Sequence, residues 1–108
     1  NDETYHLFSE REFELMKDDA VLINTSRGPI IDEKELISVL KAGKLFGVGL
    51  DVYENEPIVP NELIDLENVI TLPHIGSATN EARKAMAIIA ANNIIQALEG
   101  EKPENLIY

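Results

Sequence analysis

Apolar residues along this chain fall into three short runs and one long one, with polar clusters between them. Ala20-Val21-Leu22-Ile23 is the first run, Phe46 to Asp51 the second, and Asn68-Val69-Ile70-Thr71-Leu72 the third. Each has the length of a strand. Continuous apolar character predicts strands buried on both faces of a sheet. Between the runs the pattern becomes helical. Ser9 to Lys17 reads as a short helix: Ser9 and Glu12 have capping-box spacing, Phe8, Phe13 and Met16 supply apolar contacts, and Asp18-Asp19 ends it. Gly28-Pro29 breaks the chain after the first strand. Asp32 with Glu35 opens a second helix, whose apolar face is Leu36, Ile37, Val39 and Leu40 and whose stop is Gly43. Glu54 to Pro60 reads as a loop with two prolines, and Pro73 closes the third strand. The longest element runs from Ser77 or Thr79 to Leu98, with Ser77 placed to cap it and Gly100 and Pro103 beyond its end. Its middle, Met86 to Ala91, is apolar nearly all round, which predicts burial on more than one side.

Strands alternating with helices define an α/β fold with a parallel sheet. Ligands in such sheets bind outside the carboxyl ends of the strands. Composition narrows the chemistry. The 108 residues make one small domain or part of a larger one. A net charge of −11 argues against nucleic acid and anionic membrane as partners. The absence of cysteine removes disulfides and thiolate metal sites and fits a reducing, cytoplasmic setting. No apolar stretch has the length of a bilayer span, and the acidic start Asn1-Asp2-Glu3-Thr4 lacks the pattern of a signal peptide.

Three segments at the strand ends carry polar chemistry. Arg27 lies in Asn24-Thr25-Ser26-Arg27-Gly28. Its guanidinium fork suits a substrate carboxylate, or it caps a helix end or pairs with Asp32. Asp51 closes the second strand, where it accepts from a ligand amide or caps local N–H groups. Glu56 follows in an acidic loop, where most carboxylates are simply solvated. His74 lies in Leu72-Pro73-His74-Ile75-Gly76-Ser77; it titrates in the range of proton-transfer chemistry, or it is a hydrogen-bonded structural histidine. His6 has no such setting and reads as surface. Gly47-Val48-Gly49 lacks the third glycine of a dinucleotide fingerprint and sits within a strand. The two histidines have no nearby histidine or cysteine, so no metal site is expected.

Asn24-Thr25-Ser26-Arg27-Gly28, then Leu50-Asp51-Val52-Tyr53-Glu54, then Pro73-His74-Ile75-Gly76-Ser77-Ala78-Thr79, in this order and spacing, resemble the second half of the cofactor domain of D-2-hydroxyacid dehydrogenases. The resemblance runs from Thr4 to Pro103. Within the family, Leu72 to Thr79 and Glu81-Ala82-Arg83 are most similar to glyoxylate and hydroxypyruvate reductases. It implies a partial Rossmann-like, doubly wound parallel sheet of about three strands, with flanking helices and a long C-terminal helix. It implies hydride transfer between NAD or NADP and a small 2-oxo acid to give a D-2-hydroxy acid. Arg27 would bind the 2-oxo acid, His74 would be the general acid in reduction, and Glu56 would hydrogen-bond His74 and favour its imidazolium. Thr25, Ser26 and Arg27 would line the cofactor beside His74. Asp51 would receive the nicotinamide carboxamide, with the backbone of Ile75 and Gly76 completing the pocket.

The sequence has no Gly-x-Gly-x-x-Gly turn for the pyrophosphate and nothing that resembles most of the substrate domain. Residues 1–108 are therefore expected to be the C-terminal half of a NAD(P)-binding Rossmann domain, with 77–108 leading back toward the substrate domain. The isolated chain is expected to be inactive, with Val21–Asn24 as a sheet edge and self-association to a homo-oligomer, a dimer in the parent. The rival expectation is a non-enzymatic, NAD-binding corepressor-like relative of the same fold. A third is a small α/β module in which Arg27, Glu56 and His74 do not converge.

Overall fold

A computed structural model describes residues 2–107; Asn1, at the head of the acidic start, lies outside the described residues, as does Tyr108. The chain forms two compact units, Asn1–Gly76 and Ser77–Tyr108. In the first, α1 (Glu10–Leu15), β1 (Val21–Asn24), a 3-10 turn (Gly28–Ile30), α2 (Glu33–Lys41), β2 (Gly47–Leu50), α3 (Asn61–Ile64) and β3 (Val69–Thr71) follow in order. The second consists of α4 (Asn80–Leu98) and a short tail.

Local chemistry sets the boundaries. The Glu12 carboxylate accepts from the Ser9 N–H at 3.3 Å and so fixes the start of α1, which ends two residues before Lys17. Asp32 caps α2 by accepting from the Lys34 and Glu35 N–H groups, both at 3.1 Å, and Gly43 leaves the helix with a φ of 76°. Of the two candidate starts for α4, the structure selects Thr79, whose hydroxyl accepts from the Ala82 N–H at 3.1 Å; Ser77 is not the cap. The short α3 follows Pro60 and closes the loop expected over Glu54–Pro60.

The three strands are parallel in the order β1-β2-β3, leaving β1 at an edge. Asn24 pairs with Leu50 and Leu50 with Thr71, so the strands end nearly level and the turns after them share one edge of the sheet. Phe13 of α1, Leu36 and Leu40 of α2, Leu63 of α3, and Val48 and Leu50 of β2 belong to one buried cluster. All three helices thus serve the same face. The other face corrects the expected two-sided burial: Val21, Ile23 and Ile70 are 57%, 69% and 67% exposed. Among the described residues, no helix of this unit contributes to that face. In α4 no residue is buried, although burial on more than one side was expected from its sequence. Among the described residues, no helix is long and apolar enough to cross a membrane.

Candidate active site

At the end of β1 the side chain of Asn24, 6% exposed, organises the turn that carries Arg27. Its Oδ1 accepts from the Ser26 N–H at 3.1 Å and the Ser26 hydroxyl at 2.9 Å, while its Nδ2 donates to the Arg27 carbonyl at 3.0 Å. This Asx-type turn leaves Thr25, Ser26 and Arg27 exposed. The Arg27 Nη1 donates to the Ser26 carbonyl at 2.6 Å.

At the end of β2, Asp51 is 2% exposed and holds the turn after β3. Its Oδ1 accepts from the Ile75 N–H and its Oδ2 from the Gly76 N–H, both at 2.7 Å. Chiefly the Ile75 N–H, with that of Gly76 and the nearby His74, holds the Asp51 carboxyl below its ordinary value, against the opposing effect of burial. A carboxylate with a depressed folded value stabilises the fold above its unfolded value, and that contribution is lost as pH falls through the folded one. Asp51→Asn should therefore lower the urea-unfolding midpoint at neutral pH. It should also remove much of the midpoint's fall on acidification below the ordinary aspartate range, as urea titrations at a series of pH values would show. A midpoint equal to wild type at neutral pH would count against the fork.

Tyr53, two residues on, ties strand ends together: its hydroxyl lies 2.8 Å from the Leu72 carbonyl and 3.1 Å from that of Leu50. Its N–H donates to Glu56 Oε1 at 3.1 Å, and Glu56 Oε2 meets His74 Nδ1 at 2.8 Å. The His74 side chain first, then the Tyr53 N–H, and also the Arg27 charge, hold the Glu56 carboxyl below its ordinary value. His74 sits in the left-handed region with a φ of 56°. Such backbone costs of order 1 kcal/mol and clusters at functional sites. With Nδ1 on Glu56, Nε2 is the ring nitrogen with no hydrogen bond among the described residues. Tyr53, Glu56, Pro57, Val59, Pro73 and His74 line a cavity of about 170 Å³.

The structure thus brings Glu56 to His74, and Asp51 to Ile75 and Gly76, with the Arg27 charge acting on Glu56. Arg27 itself lines a separate cavity of about 370 Å³ with Asp2, Thr4, Tyr5, Pro29 and Ile30. Among the described residues, no hydrogen bond joins Thr25 or Ser26 to Asp51, Ile75 or Gly76. The alternative partner of Arg27, Asp32, faces His6 instead. His6 is a correction to the surface reading: its side chain is 25% exposed and sits between Asp32 and Glu54. The organising roles of Asn24 and Tyr53 were not singled out from sequence. An Asn at a strand end was the available signal for the first.

The edge fits the nicotinamide end of a dinucleotide. A Cβ on Gly76 would lie 2.9 Å from Asp51 Oδ2 and would push the carboxylate aside, so glycine lets the backbone settle on it, with Ile75 and Gly76 on an exposed turn. Thr25 adds an exposed hydroxyl on the neighbouring turn. The pyrophosphate has no glycine-rich turn in these residues.

Fold and site together define a Rossmann-like parallel domain with a histidine–carboxylate pair at the carboxyl edge of its strands. Residues 1–76 match the family model described as D-isomer specific 2-hydroxyacid dehydrogenase, NAD binding domain, and the chain belongs to that family. It is 53% identical over 105 residues to a glyoxylate reductase of Thermococcus litoralis, a match covering 97% of this chain and 32% of that protein. Among solved structures it is similar to a glyoxylate reductase from Paecilomyes thermophila, with a TM-score of 0.89 and 47% identity, covering 94% of this chain and 31% of that one. It is also similar to the NADPH-dependent glyoxylate/hydroxypyruvate reductase of Sinorhizobium meliloti in complex with NADP and malonate, with a TM-score of 0.87 and 36% identity, covering 89% and 30%. The chain therefore spans about a third of the length of the relatives it matches.

Proposed function

We propose that this chain is the acid–base half of a D-2-hydroxyacid dehydrogenase site, whose substrate is glyoxylate, hydroxypyruvate or a similar small 2-oxo acid and whose cofactor is NAD or NADP. The observation that carries this reading is the 2.8 Å contact between His74 Nδ1 and Glu56 Oε2 at the carboxyl edge of the sheet. The Arg27 charge bearing on the same Glu56 supports it.

Arg27 holds the substrate carboxylate in its planar fork and polarises the adjacent carbonyl. A reduced nicotinamide, when bound, supplies the hydride that reaches the carbonyl carbon. Negative charge then builds on the carbonyl oxygen, and His74 donates the Nε2 proton to it. Glu56, accepting from Nδ1, orients the ring. In the oxidative direction a neutral Nε2 takes the proton from the substrate hydroxyl. Asp51 holds Ile75 and Gly76 in place and receives the carboxamide on its remaining lone pairs, while Thr25 and Ser26 line the same end of the cofactor. Residues 77–108 lead toward the substrate domain of a longer, cytoplasmic, homodimeric parent. These last features, and the inactivity of the 108-residue chain alone, rest on the family resemblance.

The test uses the full-length protein with glyoxylate and hydroxypyruvate, each with NADH and with NADPH. Wild type should oxidise the reduced cofactor with at least one pairing. Arg27→Lys, which keeps the charge but loses the fork, should cut kcat/KM roughly 10- to 100-fold, the scale of one charge-assisted hydrogen bond. No turnover by wild type with any pairing, beside retained cofactor binding, would overturn the enzymatic reading in favour of a corepressor-like relative.

A further inference from the structure

The two non-glycine residues with positive φ among those described are both histidines, His6 at 51° and His74 at 56°. Each meets a glutamate of one loop. His74 Nδ1 lies 2.8 Å from Glu56, and His6 Nε2 lies 2.9 Å from Glu54, two residues earlier. The loop is thus flanked by a histidine on either side, and only one of them belongs to the proposed acid–base pair.

The surroundings of His6 explain what it does. Its Nδ1 faces Asp32 Oδ2 at 3.3 Å while its Nε2 faces Glu54 Oε1. A neutral imidazole donates from one nitrogen only, so only the imidazolium satisfies both carboxylates at once. The other groups around it are the Tyr5 ring, stacked with its centroid 4.0 Å away, and the Pro29 carbonyl, which accepts the His6 N–H at 2.8 Å. Glu33 is reached through Glu54. The Glu54 N–H donates to Glu33 Oε1 at 2.8 Å, and Glu54 Oε1 accepts from the Glu33 N–H at 2.9 Å. His6 sits between two carboxylates, and it joins the N-cap of α2 to the loop. A metal ion suits the cluster less well, because the two oxygens face different ring nitrogens.

Glu54 directly follows Tyr53, whose N–H holds Glu56 Oε1. Pinning Glu54 at its N–H and its carboxylate therefore fixes the direction in which the next turn presents Glu56. We infer that His6 is a positioning residue for the Glu56–His74 pair: clamped between Asp32 and Glu54, it sets the loop that aims Glu56 at His74. This deepens the proposed function and rests on it.

The experiment compares His6→Gln, His6→Arg and His74→Ala in the full-length protein, well below the unfolding temperature. His6→Gln should lower kcat about tenfold with KM little changed, the scale expected when a catalytic group is misplaced by less than an ångström. His6→Arg, which offers a donor to each of the two carboxylates, should recover most of that loss. Ring-nitrogen chemical shifts of His74 should move in His6→Gln and return toward wild type in His6→Arg, a readout that a simple loss of folded protein would not produce. A normal kcat in His6→Gln beside an inactive His74→Ala overturns this inference alone. Equal losses in His6→Gln and His6→Arg, or His74 ring shifts unchanged in His6→Gln, also overturn it. A normal kcat in His74→Ala overturns the proposed function itself.

Discussion

His74→Ala in the full-length protein is expected to lower kcat for 2-oxo acid reduction by about 10²- to 10⁴-fold, the usual contribution of a positioned general acid. The expectation follows from the division of labour at the strand ends. Arg27 lines a different cavity from His74 and is the group proposed to hold the substrate carboxylate, so binding survives the loss of the imidazole. The effect should therefore appear in kcat, with KM little changed. Glu56 should remain ionised below the ordinary glutamate range, because His74 and the Tyr53 N–H favour its carboxylate. Its contribution to orienting the ring is thus present above the ordinary value and is lost only as pH falls through the lower folded one. Steady-state kinetics of wild type and variant across a pH series would measure both effects. A kcat within about threefold of wild type would remove His74 from the chemistry.

Much of this arrangement is legible along the chain, and the parts that are not share a physical cause. Asp32 and Gly43 announce the ends of α2 because capping is local chemistry. Arg27, Asp51 and His74 could be placed on one edge of the sheet because a parallel sheet puts every strand's carboxyl end on the same side. The pairing of Glu56 with His74 could not be read from residue types. It depends on how Tyr53 ties Leu50 to Leu72 and offers its own N–H to Glu56. His6 was misread for the same reason, since Glu54 lies 48 positions away and nothing local marks the contact. The exposed face of the sheet has another origin. A continuous apolar run reports that a strand can be covered on both sides, but not which layer supplies the second cover.

Gly28→Ala is expected to be the most damaging single substitution for the fold of the first unit. Gly28 is buried, and a Cβ there would overlap the backbone carbonyl of Tyr53 and the Glu54 N–H. These are main-chain atoms that cannot rotate away. Moving them would disturb the Tyr53 N–H contact to Glu56 and the reciprocal bonds between Glu54 and Glu33. Overpacking of well-filled sites typically costs about 1–3 kcal/mol, and a clash with a main-chain peptide belongs at about 3 kcal/mol or more. Urea unfolding followed by circular dichroism would show it as a lowered midpoint with an unchanged slope. The same contact seats the Arg27 turn against the loop of Glu56. Any Gly28→Ala protein that still folds should lose kcat/KM as well, because Arg27 and the Glu56–His74 pair are pushed apart. An unfolding free energy within about 0.5 kcal/mol of wild type, the range of an ordinary surface change, would show that the two backbones part without cost and that this glycine does not hold the halves of the site together.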